Sequence, residues 1–110
     1  MTSRQPRKHC DPHLAFVRTL PCVVCLDNTS TEAAHVRLAD ARIGKPNAGI
    51  GAKPDDKYVL PLCGVHHRQQ HNHGEKNFWH GQDPVLLALA IYSVSGDAEA
   101  AEHIIRSNQR

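Results

Sequence analysis

Two short pairs, Cys22-Val-Val-Cys25 and Cys63-Gly-Val-His66, constrain this chain more than any other feature of it. Each spacing lets two side chains reach one ion from a single turn. Thiolate plus imidazole is a donor set that zinc accepts in a closed tetrahedron, with bonds of about 2.3 Å to sulfur and about 2.0 Å to nitrogen. Four protein ligands leave no open position, so such a site is structural. A redox CxxC pair, or cysteines packed as small apolar residues, would account for Cys22 and Cys25 but leave the matching Cys63 and His66 unexplained. Cys10 has no partner pattern and receives no role.

The rest of the composition fits a stapled domain. A chain of 110 residues makes one compact domain, and five aromatic residues promise only a modest core. A structural ion would offset part of the ordering cost. Residues 1–76 carry 11 Lys and Arg against 7 Asp and Glu, whereas 77–110 carry 2 against 4. The half that holds the motifs is therefore the basic half, as expected of a surface that meets a polyanion. No apolar run approaches the roughly 20 residues that cross a bilayer. The charged N-terminus has no apolar stretch behind it, so a secretory signal is not expected. Free thiols then point to a reducing cytoplasm.

Residues 1–11 read as a basic flexible arm and 12–110 as a single domain. Asp11-Pro12 opens a helix over 13–19, which Pro21 ends. A knuckle holds Cys22 and Cys25. Residues 33–37 form a short strand, with His35 on one face and Ala34 and Val36 on the other. The stretch 38–56, rich in Gly and Pro, is a loop long enough to be functional. A second strand covers 58–62, with Pro61 marking an edge or a strand end. A helix follows from Gly64 to about His71. Asp83-Pro84 repeats the cap-and-proline signal and opens a C-terminal helical cap, 83–108. The fold class is α+β: a zinc-stapled ββα-metal core, one hairpin and one helix, with an N-terminal helix before it and helices after it.

A second set of histidines remains once the knuckle is assigned. His67 and His71 are four apart and share a helix face, with His73 the alternative to His71. Two imidazoles so placed hold one divalent ion from the side and leave positions for water and phosphate. His35 would face that ion as a single imidazole, with an ordinary pKa near 6.5 that suits a proton acceptor at neutral pH. A metal beside a phosphodiester stabilises the charge that develops on hydrolysis. Arg37, Lys53 and Arg68 lie beside motif residues as candidate phosphate contacts.

The order of these parts resembles the HNH, or ββα-metal, nuclease superfamily. More narrowly, it is similar to small phage- and prophage-encoded HNH-like endonucleases and recombination-enhancing nucleases. The residues that carry the likeness are Ala34-His35, the glycines 49–51, Lys53-Pro54-Asp55-Asp56, and Pro61-Leu62-Cys63-Gly64-Val65-His66-His67. The resemblance implies His35 as general base, and His67 and His71 as ligands of a catalytic Mg²⁺, Mn²⁺, Ni²⁺ or Zn²⁺. Many members place Asp before the base histidine and Asn in the second strand; here those places hold Ala34 and no Asn near Tyr58. Asp55 or Asp56 is the carboxylate implied as a substitute. The implied activity is cleavage of DNA, by a monomer or homodimer. Two other readings stand beside it. One is a zinc-finger-like DNA-binding module that does not cut; the other is an interaction protein that dimerises through the apolar helix 85–94.

Overall fold

A computed structural model of the chain describes residues 11–38 and 55–109. Residues 1–10, including most of the expected arm, and most of the loop 38–56, including Lys53, lie outside the described residues. Among those described, the architecture is mixed α+β, with five helices and one two-stranded antiparallel sheet.

Helix α1 spans Asp11–Val17 and buries His13, Leu14 and Val17. It closes in a tighter turn, with the Leu20 amide donating to the Val17 carbonyl at 3.1 Å. Strands β1 (Thr31–His35) and β2 (Val59–Cys63) pair so that Ala33 faces Pro61 and His35 faces Val59. Pro61 has no N–H to give a ladder, yet it sits mid-strand. Val36 donates to the Tyr58 carbonyl at 2.8 Å, which sets the hydrogen-bonded pairs at even positions of β1 and leaves Pro61 at a site where its nitrogen faces away from β1. Its carbonyl instead accepts from Val23 of the knuckle at 2.9 Å. The proline therefore fits where the sheet meets the knuckle, not at a strand end.

β1 begins and ends two residues earlier than the pattern predicts. The Thr31 hydroxyl donates to the Leu20 carbonyl at 2.7 Å, which draws the start of the strand toward α1. Beyond Val36, the Leu38 amide, next in line for the ladder, is claimed by the Glu75 carboxylate at 3.2 Å, which also accepts from the outward-facing Arg37 amide at 2.8 Å, so pairing with β2 stops there.

All five residues of β2 are buried, because helices lie on both sides of the sheet. Helix α2 (Gly64–His73) follows Cys63 with no loop and stops at Gly74, whose φ of 78° suits glycine. A single turn, α3 (Glu75–Phe78), brings Trp79 inward. The Trp79 indole N–H donates to Gln70 Oε1 at 2.8 Å, and Gln70 Nε2 reaches the His35 carbonyl at 3.4 Å. One buried amide thus ties α2 to α3 and β1. Helices α4 (Pro84–Ser93) and α5 (Ala98–Ser107) open on capping aspartates, Asp83 onto the Leu86 amide at 3.2 Å and Asp97 onto the Ala100 amide at 3.1 Å. Ile91 and Ile105 are fully buried in the same core as Leu60 and Leu62; each such side chain contributes about 1.5–3 kcal/mol. No helix among the described residues is long and apolar enough to cross a membrane.

Candidate metal centre and adjoining histidines

The knuckle is closed by backbone bonds. The Leu26 amide donates to the Cys22 carbonyl at 2.8 Å, and the Cys22 amide to the Asp27 carbonyl at 2.9 Å. Leu26 takes the left-handed backbone, φ 66°, which costs a non-glycine residue on the order of 1–2 kcal/mol. Gln109, near the end of the described chain, donates to the Val23 carbonyl. Opposite the knuckle, Cys63 is the last residue of β2 and the residue that precedes α2, so its sulfur sits at a helix start with His66 one turn on.

These elements bring four donor atoms together. Cys22 Sγ lies 3.6 Å from His66 Nδ1, Cys63 Sγ 3.2 Å from the same nitrogen, and Cys25 Sγ 3.9 Å from Cys63 Sγ. All four donors lie within 4.8 Å of one another. A tetrahedral ion with ordinary zinc bonds needs sulfurs about 3.8 Å apart and sulfur and nitrogen about 3.6 Å apart. The residues fit a metal ion, and the expected ligands Cys22, Cys25, Cys63 and His66 are all at the site.

The thiols are electrically unequal. At Cys25 the Asp27 backbone favours the thiolate, but burial and the neighbouring Cys22 and Cys63 sulfurs outweigh it and push the pKa up to about 11. At Cys63 burial opposes ionisation, yet the amides of His66 and Val65 and the sulfurs of Cys25 and Cys22 prevail and lower the pKa. Three sulfurs this close resist full ionisation unless a cation joins them.

The second histidine set divides in two. His67 and His71 stand together on α2, with ring centres 5.1 Å apart. Neighbours four apart on a helix face lie about 5–6 Å apart in any case, so this spacing permits a shared ion and does not by itself indicate one. His67 Nδ1 also lies 2.6 Å from Glu32 Oε1 of β1. His35 instead meets Asp56: its Nε2 lies 2.9 Å from Oδ1 of a carboxylate that is completely buried. Asp56 is thus brought to His35 and not to His67 or His71. Asp55 forms the turn into β2, its carbonyl accepting from the Tyr58 amide at 3.0 Å. Among the described residues, the four-donor knuckle set is the one group of three or more His, Cys, Asp or Glu within 4.8 Å. Alternation along β1 places Glu32 with Ala34 on one face and His35 on the other. His67 and His71 therefore form one pair and His35 with Asp56 another, and the three histidines are not one cluster. His73 is exposed at the end of α2. Arg68 is exposed on α2, and Arg37 is half-buried with its amide on Glu75.

Three polar residues escaped the sequence reading: Glu32, Gln70 and Glu75. Glu32 was within reach of it, since a period of two puts it on the face of Ala34. Gln70 and Glu75 carry no motif; only the packing of α2 and α3 shows their roles. His13 is packed, not solvated. Burial lowers its pKa, with Asp56 pulling the other way. Its Nδ1 lies 2.8 Å from the Ser95 hydroxyl, and its Nε2 is buried with no hydrogen-bond partner.

Residues 2–94 match the model of a family described as a protein of unknown function, DUF968. The chain belongs to this family. The match spans the knuckle, both strands, α2 and α3, and α4, so every residue of both histidine pairs and of the four-donor set falls inside the family region. No curated protein and no solved structure matches the chain.

Proposed function

We propose that the chain is a metal-dependent DNA endonuclease of the HNH type, built on a zinc-stapled ββα-metal core of β1, β2 and α2. One observation carries this reading. Helix α2 starts with a ligand of the four-donor set and then presents a separate imidazole pair, His67 and His71, that a closed structural site does not need. In this reading Cys22, Cys25, Cys63 and His66 hold Zn²⁺, whose affinity for mixed thiolate and imidazole sets fits them.

His67 and His71 would hold a divalent ion, Mg²⁺, Mn²⁺, Ni²⁺ or Zn²⁺, that stabilises charge on the phosphate undergoing hydrolysis. For His35 to accept the proton of the attacking water it must reach the same phosphate as that ion from the other face of β1, which is the demand this reading places on bound DNA. Asp56 is the positioning residue of His35: an ionised carboxylate can only accept, so Nε2 donates to it. That bond fixes the ring and favours the imidazolium that forms when the proton arrives. Arg68, exposed on the same helix as the imidazole pair, meets the DNA backbone, with Arg37 and Lys53 as further phosphate contacts. A reducing cytoplasm suits the free thiols.

A second reading, a DNA-binding module without catalysis, is favoured by the separation of His35 from the His67 and His71 pair across β1. Zinc-loaded protein incubated with plasmid and single-stranded DNA, with each divalent ion in turn, decides between them. The expected outcome is cleavage that falls by at least about 10²-fold in His35→Ala and in His67→Ala, with zinc content unchanged. Cleavage that survives both substitutions equally would remove these residues from the mechanism. Salt-dependent binding with no cutting under any ion would leave the second reading.

A further inference from the structure

The family resemblance expects a carboxylate directly before the base histidine, and this chain has the fully buried methyl group of Ala34 there. The same face of β1 nevertheless carries a carboxylate two residues earlier. Glu32 lies opposite Leu62 in the sheet, and α2 starts immediately after β2, so its first turn passes over that end of the hairpin. Glu32 Oε1 lies 2.6 Å from His67 Nδ1. A side-chain carbon placed on Gly64 would stand 3.5 Å from the other Glu32 oxygen and 3.3 Å from Arg68 Nη1, so the carboxylate lies over the start of the helix with the Arg68 guanidinium close by.

Two physical points define what this contact does. An ionised carboxylate has no proton to give, so His67 Nδ1 must be the donor. The ring is thereby held as the tautomer whose lone pair, when neutral, sits on Nε2. The pair is also half-open to water, with 52% of the Glu32 side chain and 23% of the His67 side chain exposed. An ion pair so exposed contributes about 0–1 kcal/mol to folding, so stability is a weak reason for so short a contact. A histidine that donates one nitrogen to a carboxylate and offers the other to a metal is the usual arrangement around ligating imidazoles.

We infer that Glu32 is the positioning residue of a divalent-metal site at His67 and His71, orienting His67 so that Nε2 faces the ion. The inference rests on the reading that His67 and His71 hold an ion. Glu32 is not itself a ligand in this inference, in keeping with its absence from any group of three donors among the described residues, so the ligand place left open by Ala34 stays open.

The test is calorimetric titration of Ni²⁺ into the zinc-loaded protein, with thermal melting measured in parallel. The wild-type chain takes up one further ion, and His67→Ala abolishes that uptake. Glu32→Ala weakens it by about 10–100-fold, while the melting curve stays in place. Glu32→Gln regains most of the affinity, because an amide oxygen still accepts the His67 proton. Wild-type affinity in Glu32→Ala would overturn the role of Glu32 and leave the histidine pair intact. A loss in Glu32→Gln as deep as in Glu32→Ala would also overturn it. No further uptake by the wild type, or uptake unchanged in His67→Ala, would instead overturn the underlying metal reading.

Discussion

The two ends of one turn of α2 are built on opposite principles. At its start, Cys63 and His66 join Cys22 and Cys25 in a set that closes on itself, with donors 3.2–3.9 Å apart along the edges measured. One residue later, His67 and His71 form a pair that faces outward, held by Glu32 on one side. A complete donor set leaves an ion nothing further to bind and makes it part of the fold. An incomplete one leaves room for water and phosphate. In the proposed function, neighbouring histidines, 66 and 67, take different tasks because the helix turns them in different directions.

The strongest way to break this contrast is to damage the closed set. Cys25→Ser removes one of four ligands. Because binding of a structural ion is coupled to folding in a domain with a small core, the variant is expected to lose both its metal and its cooperative thermal transition, as circular dichroism would detect. A variant that melts like the wild type would show that the knuckle is not a staple. The matching change in the open set, His71→Ala, should leave that transition in place.

A smaller effect is expected where the two regions are joined. Gln70→Ala strands the buried Trp79 indole N–H. A buried group left unpaired costs about 1–3 kcal/mol, so chemical denaturation followed by Trp79 fluorescence should report a loss of that size. A neutral result would mean that α2 is held over β1 by other contacts.

The smallest effect concerns His13, which lies outside both regions and reaches Asp56 only electrostatically. Its pKa is lowered in the folded state, so the unfolded chain takes up a proton first as pH falls. Stability should therefore decline from about pH 6.5, the ordinary histidine value, down through the lowered folded value, and flatten below it. Comparison of denaturation midpoints between pH 8 and pH 5 should show a shallower decline in His13→Gln than in the wild type.

How much of this was legible in the sequence differs between the regions in the same way. The closed set was readable because its ligands come in two pairs with fixed spacing, and spacing within a turn survives whatever the rest of the chain does. The element order and the cap-and-proline helix starts were readable for the same local reason. The partners of the open set were not. Asp56 could have joined His67 or His35, and only the position of the turn before β2 decides for His35. The face of Glu32 was legible from alternation, but its contact with His67 follows from the way α2 crosses the hairpin, a tertiary fact. The end of β1 was misplaced because Glu75, 37 residues from Leu38, captures an amide that a local pattern assigns to the sheet.

The central claim is that one short helix serves two metal sites of different kind. Native mass spectrometry of the purified chain during exposure to a chelator tests it most directly. Two ions per chain are predicted after loading with Zn²⁺ and then Ni²⁺: the Ni²⁺ lost early with the fold intact, the Zn²⁺ lost late and together with the folded charge-state distribution. A single ion, or two ions that leave together, would contradict the account.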